Sequence, residues 1–69
     1  MAVAKVIELV GESDKGWQDA VQNALNEASK TIDNITGIEV TNMTANVNYN
    51  QIVEYKVNIK LAFGVHEQR

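Results

Sequence analysis

Thirteen residues near the end of the sequence alternate between apolar residues and polar or small ones. The stretch VEYKVNIKLAFGV runs from Val53 to Val65. Successive side chains of a β-strand point to opposite faces of the sheet, so a period of two residues predicts a strand with one buried and one solvated face. The core of this chain is therefore expected to form against one face of a sheet.

A second stretch has the period of an α-helix. From Trp17 onward, apolar residues recur at i, i+3, i+4 and i+7, which predicts an amphipathic helix of roughly five turns that frays near Asn34. Gly16 is the predicted N-cap residue. The apolar stripe, which includes three alanines that allow close packing, comprises Trp17, Ala20, Val21, Ala24, Leu25, Ala28 and Ile32.

The segment before the helix is predicted to be a strand followed by a loop. Residues Val3–Val10 are apolar and rich in β-branched side chains, which favours a short strand. The glycines and polar residues of Gly11–Gly16 are typical of a loop. We therefore expect the first strand to end at Gly11.

The segment after the helix predicts another strand and a turn. Gly37 follows the helix as a C-terminal cap glycine often does, and a long strand is expected over Ile38–Val47. The apolar positions change phase near Thr41–Asn42, which predicts a bulge or sharp bend. Residues Asn48–Gln51 are expected to form a turn because asparagine tolerates a left-handed backbone.

These elements give the order β-α-β-β and an α+β fold in a single domain over residues 1–69. A crossover helix makes the first two strands parallel, so insertion of the last strand between them makes every neighbouring pair antiparallel. The sheet then wraps one face of the helix and leaves two open edges. A chain of 69 residues without cysteine has a small core and no disulfide, so we expect it to associate with copies of itself.

Charge and hydropathy narrow the classes of partner. The net charge of −3 disfavours binding to nucleic acid, because phosphates repel an acidic surface. No apolar run approaches the roughly 18 residues that a membrane span needs, so no membrane partner is expected. The first residues lack the basic leader and the small-residue cleavage site of a signal peptide. A cytoplasmic protein is therefore the expectation.

The sequence contains no catalytic constellation, so we expect a protein that is not an enzyme. A single histidine, His66, and no cysteine exclude a Cys–His pair and a multi-histidine metal site. We expect His66 to be a solvated residue of the polar tail. Glu12 and Asp14 are candidate cation ligands, but two carboxylates need further oxygen ligands from symmetry-related subunits. The alternative is a solvated acidic loop.

Three motifs together resemble the dodecin family. They are KVIELVG, the spaced pattern W-DA--NA---AS-T--N, and EY-V--K--F, and the resemblance covers nearly the whole chain. It implies a hollow homododecamer in which each subunit wraps a three-stranded antiparallel sheet around one helix. In flavin-binding dodecins, flavins stack in pairs between aromatic side chains of symmetry-related subunits, and the protein stores or sequesters flavin without turnover.

The resemblance also marks four ligand positions at which this chain departs from the family pattern. The flavin-stacking tryptophan of a W-x-E-V motif aligns with Gly37, and the usual glutamine aligns with Lys56. Two positions that are often basic align with Thr44 and Gly64. A flavin cofactor (FMN, riboflavin or lumichrome) is therefore expected to bind weakly or not at all. The alternatives are a dodecin-like shell that binds cations or a non-flavin small molecule, and a purely structural oligomer.

Overall fold

The computed structural model describes residues 3–65. Its elements are β1 (Val3–Ser13), α1 (Trp17–Ala28), β2 (Ile35–Asn48) and β3 (Gln51–Val65). The strand order in the sheet is β1-β3-β2, and both neighbouring pairs are antiparallel. The predicted β-α-β-β order is confirmed, and the last strand lies in the centre of the sheet as expected. The predicted position of His66 falls outside the described residues.

The core lies between α1 and one face of the sheet, which we call the helix side. The alternation in β3 is confirmed, because alternate residues on the helix side are buried while Asn58 and Lys60 between them are exposed. We call the opposite face, which no described element covers, the outer face. The buried core residues are Ala20, Ala24 and Ala28 of α1 and Val57, Ile59 and Leu61 of β3.

The helix is shorter than the apolar stripe predicts. It ends at Ala28 after 12 residues, and the backbone then forms tighter turn hydrogen bonds from Lys30 N to Glu27 O and from Thr31 N to Ala28 O. Ser29 Oγ donates to the Asn26 carbonyl at 2.9 Å, a local bond that competes with helix continuation. Within residues 3–65, no helix has the length and apolarity needed to cross a membrane.

The first strand is longer than predicted, because Gly11 lies inside β1 and the strand continues to Ser13. Gly11 is buried under the helix. A Cβ at this position would overlap the Ala20 carbonyl oxygen and lie 3.0 Å from Ala24 Cβ. The glycine therefore allows β1 and α1 to approach closely, and the alanines of the helix stripe form the other side of that contact.

A buried hydroxyl links the end of β1 to the start of α1. Ser13, which is 8% exposed, donates from Oγ to Asp19 Oδ2 at 2.6 Å. The same oxygen accepts a hydrogen bond from the Lys15 backbone N–H at 2.8 Å. The two bonds fix the turn that leads into the helix, and Asp19 lies in the first helical turn, where a negative charge is favourable.

We expect Ser13→Ala to lower the free energy of unfolding by about 1–3 kcal/mol, because it removes a hydrogen bond to a carboxylate and one to a backbone N–H. Chemical denaturation at fixed protein concentration measures this change. Ser29→Ala is the matched control, since the Ser29 hydroxyl is exposed and bonds only locally. Equal stability of the two variants would contradict the assignment.

The second strand begins at Ile35, three residues before the predicted start, and Gly37 lies within it. The prediction that Gly37 caps the helix is therefore wrong. The left-handed residue between α1 and β2 is Asn34, with φ of 63°, and no described glycine lies in the left-handed region. Asparagine takes this conformation more readily than other side chains, so Asn34 reverses the chain and Gly37 remains extended.

Three register shifts interrupt the pairing of β2 with β3. The register shifts between Ile35 and Gly37 and between Val40 and Asn42, with a third shift near the turn. The second of these shifts confirms the predicted bulge near Thr41–Asn42. Thr41 lies at the second shift and has no partner in the strand register. Its hydroxyl still donates a hydrogen bond to the Asn58 carbonyl of β3 at 3.1 Å.

The turn between β2 and β3 is confirmed within the predicted segment. Tyr49 and Asn50 are its two central residues, and both have a left-handed backbone, with φ of 52° and 63°. A two-residue hairpin of this kind matches the right-handed twist of its strands. The hairpin makes the subunit elongated, with principal extents of 58 × 20 × 12 Å.

Candidate functional site

The four sequence-predicted ligand positions lie on the outer face of the sheet. Residues that pair across neighbouring strands share a face, so the register arranges the outer face into rows that cross β1, β3 and β2. The rows are Val6–Ala62–Gly37, Glu8–Lys60–Glu39, Val10–Asn58–Asn42 and Glu12–Lys56–Thr44. Gly64 lies beyond the first row, opposite Ala4.

Two of the predicted ligand residues, Thr44 and Lys56, face each other directly across β2 and β3. On the other side of Lys56, the partner on β1 is Glu12. This row therefore joins two predicted flavin-pocket positions and one predicted cation ligand. A lysine ammonium donates hydrogen bonds only, whereas the threonine hydroxyl donates and accepts and the carboxylate accepts.

The other two positions, Gly37 and Gly64, lie at the far end of the same face. Gly37 pairs with Ala62, which is six residues along β3 from Lys56, or roughly 20 Å at 3.3 Å per residue. The four positions therefore do not converge within one chain. A small ligand that contacts both ends must bind where the outer faces of two or more copies meet.

Gly37 faces open space. No heavy atom lies within 4 Å of a Cβ built on its backbone. The outer surface beside it is a depression of about 530 Å³ lined by Val6, Gly37, Ile38, Glu39, Lys60 and Ala62. An aromatic side chain at this position would therefore extend into the depression without displacing other residues of the same chain.

No aromatic ring of the described residues occupies the outer face. Trp17, the only tryptophan in the sequence, lies on the helix side, where its ring meets Tyr55 edge-on at a centroid distance of 4.8 Å. Its Nε1 donates to the Thr44 carbonyl at 3.4 Å. Phe63 also packs against the core, and Tyr49 lies in the hairpin turn. The prediction that Trp17 packs against the core is confirmed.

The predicted cation ligands Glu12 and Asp14 are both exposed. Glu12 lies opposite Lys56, whose positive charge opposes the binding of a cation there. In residues 3–65, no cluster of three or more histidine, cysteine, aspartate or glutamate side chains is placed to hold a metal ion. A cation site at Glu12 and Asp14 would need ligands from other copies.

The sequence did not single out the central charged row Glu8–Lys60–Glu39. Its lysine was recognised as part of a polar strand face, but its pairing with two carboxylates depends on the register. The only ion pair within 4.0 Å in the described part of the chain joins Glu27 of α1 to Lys30 in the turn after it. The ammonium groups of Lys56 and Lys60 are therefore free to contact a ligand or another copy.

The fold and this face define a class of protein: a one-helix, three-stranded subunit whose candidate ligand positions lie on an uncovered sheet face. The chain belongs to the dodecin family. The family model, described as Dodecin, matches residues 3–66. The dodecin of Thermus thermophilus is 34% identical over 65 residues, which cover 94% of each chain.

Solved structures show the same similarity. A crystal structure of a Thermus thermophilus protein matches with a TM-score of 0.93 and 32% identity, covering 99% of this chain and all of that one. The dodecin of Streptomyces davaonensis matches with a TM-score of 0.90 and 32% identity over 96% and 97% of the two chains. Other matches include variants of the Thermus dodecin, one with a tryptophan changed to phenylalanine and two with an arginine changed to alanine.

Proposed function

We propose that this chain assembles into a hollow homododecamer that binds and stores a small ligand without catalysis. Its affinity for flavin is weakened or lost. The observation that carries the proposal is Gly37, where the outer face offers space for a ring and the chain supplies none. Membership of the dodecin family supports the shell. The proposed location is the cytoplasm.

The small core supports assembly. Among residues 3–65, the buried core contains three alanines and, as larger side chains, only Val57, Ile59 and Leu61. Large apolar residues such as Val6, Val10 and Met43 are more than half exposed. A domain this small gains stability from burying such surface against further subunits. Native mass spectrometry tests this step, and twelve subunits of 7.6 kDa predict an assembly of about 91 kDa.

The loss of the ring lowers the expected affinity for flavin. Stacking of a planar base on an aromatic side chain contributes about 1–3 kcal/mol, and glycine contributes none of this. Thermus dodecin variants were made at one tryptophan and two arginines, and the resemblance places a tryptophan at Gly37 and often basic residues at Thr44 and Gly64. In this chain the only arginine is Arg69, so Thr44 and Gly64 offer no guanidinium.

The substitution at Lys56 acts in the same direction. The resemblance places glutamine here, and an amide both donates to and accepts from the edge of a flavin ring, whereas an ammonium only donates. The row at Lys56 is therefore suited to a ligand with acceptor groups and poorly matched to the mixed donor and acceptor edge of a flavin.

We expect Lys56→Gln to raise riboflavin affinity roughly 2- to 12-fold in the Gly37→Trp background, because one added neutral hydrogen bond is worth about 0.5–1.5 kcal/mol. Quenching of riboflavin fluorescence measures the affinity. Lys15→Gln in the same background is the control, since it removes an equal charge from an exposed residue of the segment before α1. Equal gains from both variants would show that charge alone is responsible.

A further inference from the structure

The outer half of the β2–β3 hairpin has no charged residue. From Val40 to Val53, 14 residues in a row lack aspartate, glutamate, lysine and arginine, although these make up 22% of the sequence. We call residues 40–53 the hairpin arm. β2 is an edge strand, and exposed edges usually carry charged side chains that prevent pairing with other chains. The absence of charge indicates that another protein surface covers the arm.

The tip of the arm presents apolar side chains to solvent. Tyr49 is 92% exposed, and Val47, Ile52 and Val53 beside it are 63%, 47% and 46% exposed. Tyr49 also has a left-handed backbone, with φ of 52°. This conformation is unfavourable for a bulky residue and easy for glycine or asparagine. The turn thus keeps tyrosine at a position that suits glycine or asparagine better, and the exposed ring lies at the end of the hairpin.

A groove of complementary character lies at the opposite end of the subunit, between the end of α1 and the start of β2. We call it the terminal groove. Its volume is about 620 Å³, and Asp33 is the one charged residue among those that line it. Its apolar lining comprises Leu25, Ile32, Ile35 and Ile38. Aromatic anchors in apolar pockets are the usual centre of a protein interface.

The tip cannot fill the groove of its own chain. Twelve residues of β2 separate Ile35 in the groove from Val47 at the tip, or roughly 40 Å at 3.3 Å per residue. A hairpin tip that fills the groove must therefore belong to another molecule. A second copy of this chain fits best, because it supplies an uncharged apolar tip for a groove that is itself almost uncharged.

We propose that the hairpin tip of one copy, with Tyr49 at its centre, inserts into the terminal groove of the next copy. The tip and the groove are different patches, so the contact is heterologous, and repeated rotation closes such contacts into rings. The proposal rests on the proposed function only in that both require self-association. It names the surfaces that join the subunits.

The size of the contact is consistent with an anchor inside a larger interface. A tyrosine side chain buries on the order of 150–250 Å², whereas a stable interface buries about 800 Å² per partner. The rest of the area is available on the same arm, where Val40 and Met43 are 42% and 53% exposed. The ring positions the contact and the strand faces extend it.

The terminal groove and the ligand positions can be tested separately. Gly37 and Ile38 line both the groove and the depression on the outer face, whereas Ile32 lines the groove alone. Variants at Tyr49 and Ile32 therefore do not alter the outer face. A failure of the tip–groove contact can be distinguished from a failure of flavin binding or of assembly.

The absence of cysteine makes cross-linking a direct test. We expect the double variant Tyr49→Cys and Ile32→Cys to form a disulfide-linked ladder of dimers, trimers and higher species on oxidation. Either single variant can form dimers at most. The matched control pairs Tyr49→Cys with Glu8→Cys on the outer face, which we expect to give no ladder beyond the dimer.

Two results would overturn the inference. An assembly of about 91 kDa (twelve times 7.6 kDa) that forms no ladder contradicts the tip–groove contact and leaves the proposed function standing. A monomeric unsubstituted chain at micromolar concentration contradicts both. Native mass spectrometry of the same samples distinguishes these two results.

A second variant protects the test against misfolding. Tyr49→Asn removes the ring and places a residue that favours the left-handed backbone, so the hairpin itself is expected to fold at least as well. We expect the protein concentration at half-assembly to rise at least tenfold. Asn50→Gly, which changes the same turn but keeps the ring, is expected to leave it unchanged. Unaltered assembly of Tyr49→Asn would overturn the inference.

Discussion

Gly37→Trp is expected to raise the affinity of the assembled protein for riboflavin roughly 5- to 150-fold, which corresponds to about 1–3 kcal/mol for one stacked ring. The physical reason is that the new side chain enters open space on the outer face, where no atom lies within 4 Å of the added Cβ. Saturable quenching of riboflavin fluorescence measures the change, since a flavin stacked on tryptophan is strongly quenched.

The matched control for this prediction is Gly16→Trp. Gly16 also has no atom within 4 Å of an added Cβ, but it precedes α1 and lies away from the outer face. It adds an equally accessible indole elsewhere and should leave the riboflavin affinity unchanged. An intact assembly of Gly37→Trp with no more quenching than Gly16→Trp would contradict the assignment of Gly37 to the ligand pocket.

Gly11→Ala is expected to destabilise the subunit by at least about 1–3 kcal/mol, the usual effect of overpacking a core. The added methyl group would overlap the Ala20 carbonyl oxygen. That oxygen belongs to the helix backbone and cannot move as a flexible side chain would, so α1 must shift away from β1. For a domain of this size, each kcal/mol lowers the melting temperature by roughly 4–8 °C.

Thermal unfolding at a fixed protein concentration measures this effect, because assembly makes the melting temperature depend on concentration. Gly64→Ala is the matched control, since it is another glycine in a strand, and its added Cβ would meet only Asn34 Cβ at 3.8 Å. We expect Gly64→Ala to be neutral or slightly stabilising. A melting temperature of Gly11→Ala equal to that of Gly64→Ala would contradict the close approach of β1 and α1.

The fold could be predicted from local patterns because most of its elements carry strong ones. The alternation over Val53–Val65 identified the central strand, and its buried face is the one that packs against α1. The phase change in β2 located a real bulge at Thr41–Asn42. Both patterns report which face of a strand is buried, and burial of one face is the force that forms this sheet.

The element ends were harder to predict because they depend on contacts that are distant in sequence. Gly11 was interpreted as the end of a strand, but it is a position of close helix contact whose reason lies in Ala20 and Ala24. Gly37 was interpreted as a helix cap, but Asn34 has the left-handed backbone. In each case a glycine permits several conformations, and only tertiary packing selects one.

The candidate site was also predictable only in part from the sequence. The resemblance named the four positions, and the structure places all of them on one face. Pairing of Thr44 with Lys56, and of Lys60 with two carboxylates, depends on strand register, which spacing along one strand does not determine. The distance between Lys56 and Gly37 also depends on the fold, and a ligand that contacts both would need a second copy of the chain.

The central claim is that this dodecin still assembles but lacks the aromatic side chain that stacks on flavin. A fluorescence titration of riboflavin with the unsubstituted protein, at a mass confirmed as oligomeric, tests it most directly. The claim predicts no saturable quenching at micromolar protein, and FMN and lumichrome should behave alike. Quenching that saturates at micromolar concentration or below would contradict the claim and would show that other side chains bind the flavin.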